Sequence, residues 1–394
     1  MKKYMHFEGL RGIAAFIVFL SHFKPTFCVN INQTFLDYFG VNEIKERAFY
    51  ENFLSLLYEG TLPVYIFWLM SAYVILIKLF DVTRNENNMY LIEASTKRYF
   101  RLAIPVFFSS LLCFILLKNH LIFNTELAEF LGKGYQDNWL DEWFNFVPNT
   151  IHFLKTTIVE VFIPGNSNYN IALWTMNPEL LGSYLCFGLF AVIGKNKLRF
   201  LLYLLVCVFL VIAGLRDTTY FYYLIFLIGI MWCDSTNSTD DGVYLKEKIR
   251  KIYASRKTAI ILLLTGFGAT IISDTIFPIH KNLYYFFTFP VKAIAFTLLI
   301  IYFDGMKKLF SIRPLIFLGK ISFSFYLIHV PVMFSLGIYL YMYAGILSPY
   351  KTIIVFVILT FTTIILSYFF MKYIDHKALN ISNKIGKYFS KNQT

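Results

Sequence analysis

Charge is scarce in this chain. Of its 394 residues, 15% are Asp, Glu, Lys or Arg, against about 25% in soluble domains. The mean hydropathy is +0.58, which excludes an ordinary water-soluble globule. Paired cysteines are missing too. Cys28, Cys113, Cys186, Cys207 and Cys233 are odd in number and irregular in spacing, so neither a disulfide framework nor a metal site is expected. The chain shows no internal repeat, no low-complexity tract and no stretch polar enough for a separate soluble domain. A cleaved leader is not expected, because Arg11 interrupts the first apolar run and no small-x-small site follows.

Long apolar runs are abundant. Ten are long enough to cross a bilayer: about 8–27, 61–80, 99–117, 172–193, 198–214, 218–233, 258–276, 283–303, 314–337 and 351–371. The expected fold class is all-α, a polytopic integral membrane protein of about ten transmembrane helices. With both termini cytoplasmic, the inner segments hold 23 Lys and Arg and the outer segments 9. This asymmetry fixes the orientation and makes the net charge of +12 a signature of insertion, so no nucleic-acid partner is implied. The expected location is the cytoplasmic (inner) membrane, the lipid bilayer being the first partner. Residues 1–375 form the membrane domain and 376–394 a basic cytoplasmic tail. The outer loop 118–170 has six acidic and three basic residues, and its pieces 151–154 and 158–164 suit interfacial or re-entrant helices.

Four clusters carry possible chemistry. Arg11 and His22 are eleven residues apart, so they share a helical face about 16 Å apart along the axis. An ionisable group at such depth is a functional candidate, the alternative being a snorkelling arginine and a hydrogen-bonded histidine. Arg98 and Arg101, spaced i, i+3, share a face at the inner mouth of span three and suit phosphate binding or simple anchoring. At the start of span four, Asn177 reads as an N-cap, Pro178 as the first helical residue, and Glu179 as a first-turn acid at the outer level of His22. In span nine, Ser322, Tyr326 and His329 align on one face, with His329 in the outer half. Lys292 is a further mid-span charge, paired or facing a wet cavity.

Together these residues resemble the membrane-bound acyltransferase-3 family over nearly the whole chain. Glu8-Gly9-Leu10-Arg11-Gly12 through His22 is similar to the family's opening motif, with glutamate where aspartate is usual. Arg98-Tyr99-Phe100-Arg101, followed by Pro105, resembles its arginine-x-x-arginine motif. Trp174 to Glu179 with Gly182-Ser183, Gly319 to Pro331, and Tyr373-Ile374-Asp375 resemble its later segments. The resemblance implies an O-acyltransferase with no permanently bound cofactor, which uses acyl-CoA, most simply acetyl-CoA, as co-substrate. Its acceptor would be a hydroxyl of an extracytoplasmic glycan. It further implies Arg11, Arg98 and Arg101 as the acyl-CoA site, His22 as general base or acyl carrier, and Glu179 as the group that orients it. Trp174, Ser322, Tyr326 and His329 would bind substrate. The rival reading is a transporter or flippase for an anionic solute, with the arginines as port and His22 and His329 as a proton relay.

Overall fold

The computed structural model describes residues 5–28, 57–81, 84–132, 140, 142–194, 196–237, 251–252, 255–276, 281–343 and 350–391. Most of the expected outer loop 28–60, and residues 238–250 of the expected inner loop 233–257, lie outside the described residues. Among the described residues there is no strand. The helices, in chain order, are α1 (Met5–Phe27), α2 (Thr61–Asp81), α3 (Arg84–Lys118), α4 (Asn124–Leu131), α5 (Thr150–Lys155), α6 (Met176–Ile193), α7 (Arg199–Gly214) and α8 (Thr219–Asn237). There follow α9 (Arg256–Ile276), α10 (Lys281–Tyr302), α11 (Asp304–Phe310), α12 (Arg313–Val332), α13 (Ile338–Tyr343), α14 (Lys351–Phe370) and α15 (His376–Lys391).

A helix stands at each of the ten expected spans. Among the described residues, five helical stretches are long and apolar enough to cross a membrane, or six if the pair bent by 91° between Tyr302 and Asp304 is one span. The other helices fall short for visible reasons: α1 carries Glu8, Arg11 and Lys24, and α7 has only 16 residues. Outward faces are apolar where they leave the bundle. On α7, Leu201, Leu204, Phe209 and Ile212 are exposed, and on α14 Ile353, Phe361 and Ile365, a surface suited to lipid. Residues 376–391 form a helix laid along α3, where Gly386 lies against the Glu93 backbone and the Lys97 side chain.

Side-chain pairs fix the relative directions. Ring contacts Tyr65–Tyr222, Trp68–Phe226 and Tyr73–Trp232 run in step, so α2 and α8 are parallel. Trp68 meets Trp174, two residues before α6, and Phe80 meets Phe190 within it, so α2 and α6 are parallel. The tightest crossing is that of α1 on α12. A Cβ on Gly12 would lie 2.7 Å from the Gly319 nitrogen and the Leu315 carbonyl, so these backbones touch where no side chain intervenes. Gly12 to His22 and Gly319 to His329 are both ten residues, about 15 Å along parallel helices. The glycine contact at one end therefore sets the histidines side by side towards the other.

The core has two aromatic-rich lobes. One joins α2, α6, α8 and α10 around Trp68 and Phe226; the other joins α1, α3 and α12 around Phe19, Phe325 and Phe334.

Candidate functional site

A cavity of about 360 Å³ opens where the two lobes meet, within the size range of small-molecule sites. Arg11, Arg98 and Arg101 all line it, together with Glu8, Ser71 and Glu179. Its apolar wall includes Phe67, Trp68 and Met176, and Thr175 and Tyr326 add hydroxyls to the lining. The three arginines thus come together from α1 and α3. Each is met by a carboxylate. Arg11 Nη1 lies 3.4 Å from Glu8, and its side chain is the most exposed of the three, at 37%. Arg101 grips Asp375 with both terminal nitrogens and places its guanidinium 5.8 Å from the Phe323 ring centre. Arg98 pairs with Glu179 and donates to Ser71 Oγ (2.7 Å) and Ser183 Oγ (2.9 Å).

That pairing corrects the expected place of Glu179. Its carboxylate accepts from Arg98 and from Ser71 Oγ at 2.7 Å, rather than orienting His22. Counting from the start of the apolar run treated residue 172 as the membrane surface. Instead the chain has already entered the bundle: Ile171, Ala172 and Leu173 are buried and form a 3-10 turn, Ile171–Thr175, that leads into α6. Glu179 consequently lies one turn further in than Thr175, level with the arginines. The N-cap also moves. Asn170 caps the 3-10 turn through the Ala172 amide, while Asn177 donates to the Phe162 and Ile163 carbonyls. Preceding it, α5 and a π turn over Thr156–Glu160 occupy the two short segments, where Tyr99 donates to the Ile158 carbonyl at 2.7 Å.

His22 and His329 meet. His329 Nε2 is 3.1 Å from His22 Nδ1, and His22 Nδ1 is 2.9 Å from the Val18 carbonyl. A carbonyl only accepts, so the Nδ1 proton of His22 points at Val18 O and is shared with His329. His329 Nδ1 in turn faces the Phe325 carbonyl at 3.2 Å, which leaves Nε2 as the acceptor towards His22. The partners thus assign both rings as Nδ1–H tautomers, and the proton-accepting lone pair of His22 is on Nε2. One turn nearer the cavity, Tyr326 donates to the Ala172 carbonyl and shares a 2.7 Å hydrogen bond with Thr175 Oγ1, its ring centre 5.8 Å from that of His329. Ser322 Oγ is buried on the cavity wall and makes no hydrogen bond among the described residues. Trp174 packs edge-on against Trp68 behind the wall. Lys292 is buried with Nζ 5.9 Å from the Phe289 ring centre.

Sequence reading missed what holds His329 in place. Pro331 has no N–H, so the carbonyl four residues before it, on Leu327, loses its helical partner. Ser109 Oγ (2.8 Å) and Asn170 Nδ2 (2.9 Å) donate to that oxygen instead, and Asn170 also donates to Ser109. The proline two residues after His329 was the available signal: it demands such donors, though not from which helix. The arrangement therefore places cation-lined space at one end, buried hydroxyls in the middle and a pair of imidazoles beyond them.

Comparison with known proteins gives one match. A family model described as an acyltransferase domain matches residues 6–372. No curated protein and no solved structure matches the chain.

Proposed function

The chain belongs to the acyltransferase-3 family, and we propose on that premise that this integral membrane protein carries an acyl group, most simply acetyl, from a coenzyme A thioester to a glycan hydroxyl. The observation that carries the reading is the axial separation of its parts: a cavity with three arginines at one end and a histidine pair about 16 Å further along α1. The donor would enter at the arginine end, from the cytoplasm, and the acceptor from the far side. The charge asymmetry of the loops supports these sides, and the parallel pairs α1–α12 and α2–α6 are those that alternate crossing requires.

The arginines divide the work by exposure. Arg11 and Arg101 would take the donor's phosphates, each adding that contact to its carboxylate partner. Arg98, held by Glu179, Ser71 and Ser183, shapes the wall instead. Glu179 therefore acts as a positioning residue, and the role of supporting the base passes to His329 and the Val18 carbonyl. In the transfer, His22 Nε2 takes the proton of the acceptor hydroxyl as its oxygen attacks the thioester carbonyl. The C–S bond breaks, and the proton passes to the departing sulfur. The charge that develops on His22 is stabilised through Nδ1–H by the two acceptors it already faces. Ser322 Oγ and the Tyr326 hydroxyl line the path of the thioester. Purified protein given acetyl-labelled acetyl-CoA and membrane glycan should place label on the glycan, with slow hydrolysis in its absence. Label that crosses a vesicle membrane as intact acetyl-CoA would support a transporter instead.

A further inference from the structure

A second cavity, of about 420 Å³, lies at the end of the bundle opposite the arginines. Its floor is the end of α3 and the start of α4, and its far wall is the segment 144–148. It adjoins the segment that follows His329 in the chain. The Phe144 ring on its wall packs at 5.9 Å on Phe334, five residues past His329, and the Phe123 amide donates to the Phe334 carbonyl at 3.0 Å.

The lining has a definite chemistry. Glu126 and Glu129, one turn apart on α4, are exposed, and their carboxylates make no hydrogen bond or ion pair among the described residues. His120 and Thr125 add a ring nitrogen and a hydroxyl, and Phe144 and Phe146 supply aromatic walls. Carboxylates accept from adjacent hydroxyls while ring faces cover the C–H surface between them, which is how polyols are held. The cavity is also built rather than incidental. Asn124, buried beneath it, ties both walls together by donating to the Leu140 and Trp143 carbonyls, each at 2.8 Å. His120 (φ 54°) and Phe144 (φ 63°) are held in the left-handed region that bulky side chains rarely adopt.

We propose that this cavity is the subsite for the acceptor, and that it takes a neutral or amine-bearing sugar and rejects an acidic one. The assignment of its occupant as acceptor rests on the acyl-transfer reading; the binding of a sugar there does not. Two carboxylates without cationic partners among the described residues attract an ammonium group, tolerate hydroxyls and repel a third carboxylate. An acceptor seated there would point a hydroxyl along α12 towards the imidazoles.

Saturation-transfer NMR on the purified full-length protein tests this with three methyl glycosides, those of glucose, glucosamine and glucuronic acid. The first two should show contact and the third none. Glu126→Ala and Glu129→Ala should each weaken glucosamine binding about tenfold or more, the loss of one charge-assisted hydrogen bond. Both side chains are exposed, so these variants should fold, and Glu126→Gln with Glu129→Gln should let the glucuronide bind. Equal binding of glucuronide and glucosamine to the unaltered protein, no binding of any sugar, or undiminished binding by both alanine variants would overturn the proposal. Thioester hydrolysis by the unaltered protein without sugar is measured separately. Hydrolysis without sugar contact removes the subsite alone. Sugar contact without any thioester turnover keeps a sugar site and removes the acyl transfer.

Discussion

One methyl group at the base of α1 should slow catalysis at its far end. In Gly12→Ala the new Cβ would stand 2.7 Å from the Gly319 nitrogen and the Leu315 carbonyl, where ordinary contact begins at 3.4 Å. Both neighbours are backbone, so neither can rotate away, and α1 must part from α12 by about 0.7 Å or more. Carried along two stiff parallel helices, that shift takes the His22–His329 contact from 3.1 Å to about 3.8 Å, beyond hydrogen-bonding range. A misplacement near 1 Å in a catalytic group lowers rates by about 10²-fold. The expected result is a kcat reduced tens-fold to a hundredfold, with donor KM changed far less. Gly319→Ala, whose Cβ would meet the Glu8 backbone, should act in the same way and at least as strongly. Gly188 serves as control: nothing lies within 4 Å of its Cβ position, and alanine there should be neutral or slightly stabilising. Radiolabelled acetyl transfer and thermal unfolding in detergent give both readouts. Well-folded Gly12→Ala protein with unaltered kcat would refute the argument that this crossing positions the histidines.

The remaining expectations concern single contacts. Arg11→Ala should raise donor KM about tenfold or more with little loss of stability, because its side chain and that of Glu8 are partly exposed; unchanged donor affinity would make it a topological anchor. Arg98→Ala should instead reduce folded yield and thermal midpoint, since it leaves the Glu179 carboxylate, 13% exposed, without its cation. Asn170→Ala should lower stability by about 1–3 kcal/mol by stripping a donor from the Leu327 carbonyl, and calorimetry showing no change would remove the proposed lock. A probe cysteine at position 238, on a background without the five native ones, should resist impermeant reagent in intact cells. Labelling there would reverse the proposed orientation.

Much of the helical layout was legible because hydropathy marks apolar helices directly. So was the gathering of Arg11, Arg98 and Arg101, because i, i+3 spacing and shared membrane depth are properties of the local helix. Glu179 was misplaced because depth was counted from an assumed surface, and the buried 3-10 turn at Ile171–Thr175 shifts that origin inward. The contact of His22 with His329 depends on which helices are neighbours. Gly12 and Gly319 hold that information, but a glycine announces a close approach without naming its partner. The Asn170–Ser109–Leu327 link was hidden for the same reason: Pro331 orphans a carbonyl locally, and the donors come from 218 and 157 residues away in the chain.

The central claim is that His22 takes the acceptor's proton, and His22→Ala tests it most directly. Protein reconstituted in vesicles, with labelled acetyl-CoA at one face and glycan at the other, should lose about 10²–10⁴ of its transfer rate in this variant. Insertion and donor affinity should stay near those of the unaltered chain, because the arginine cavity lies about 16 Å away along α1. Transfer by His22→Ala at close to the unaltered rate would contradict the account and leave the two histidines as a helix-to-helix hydrogen bond.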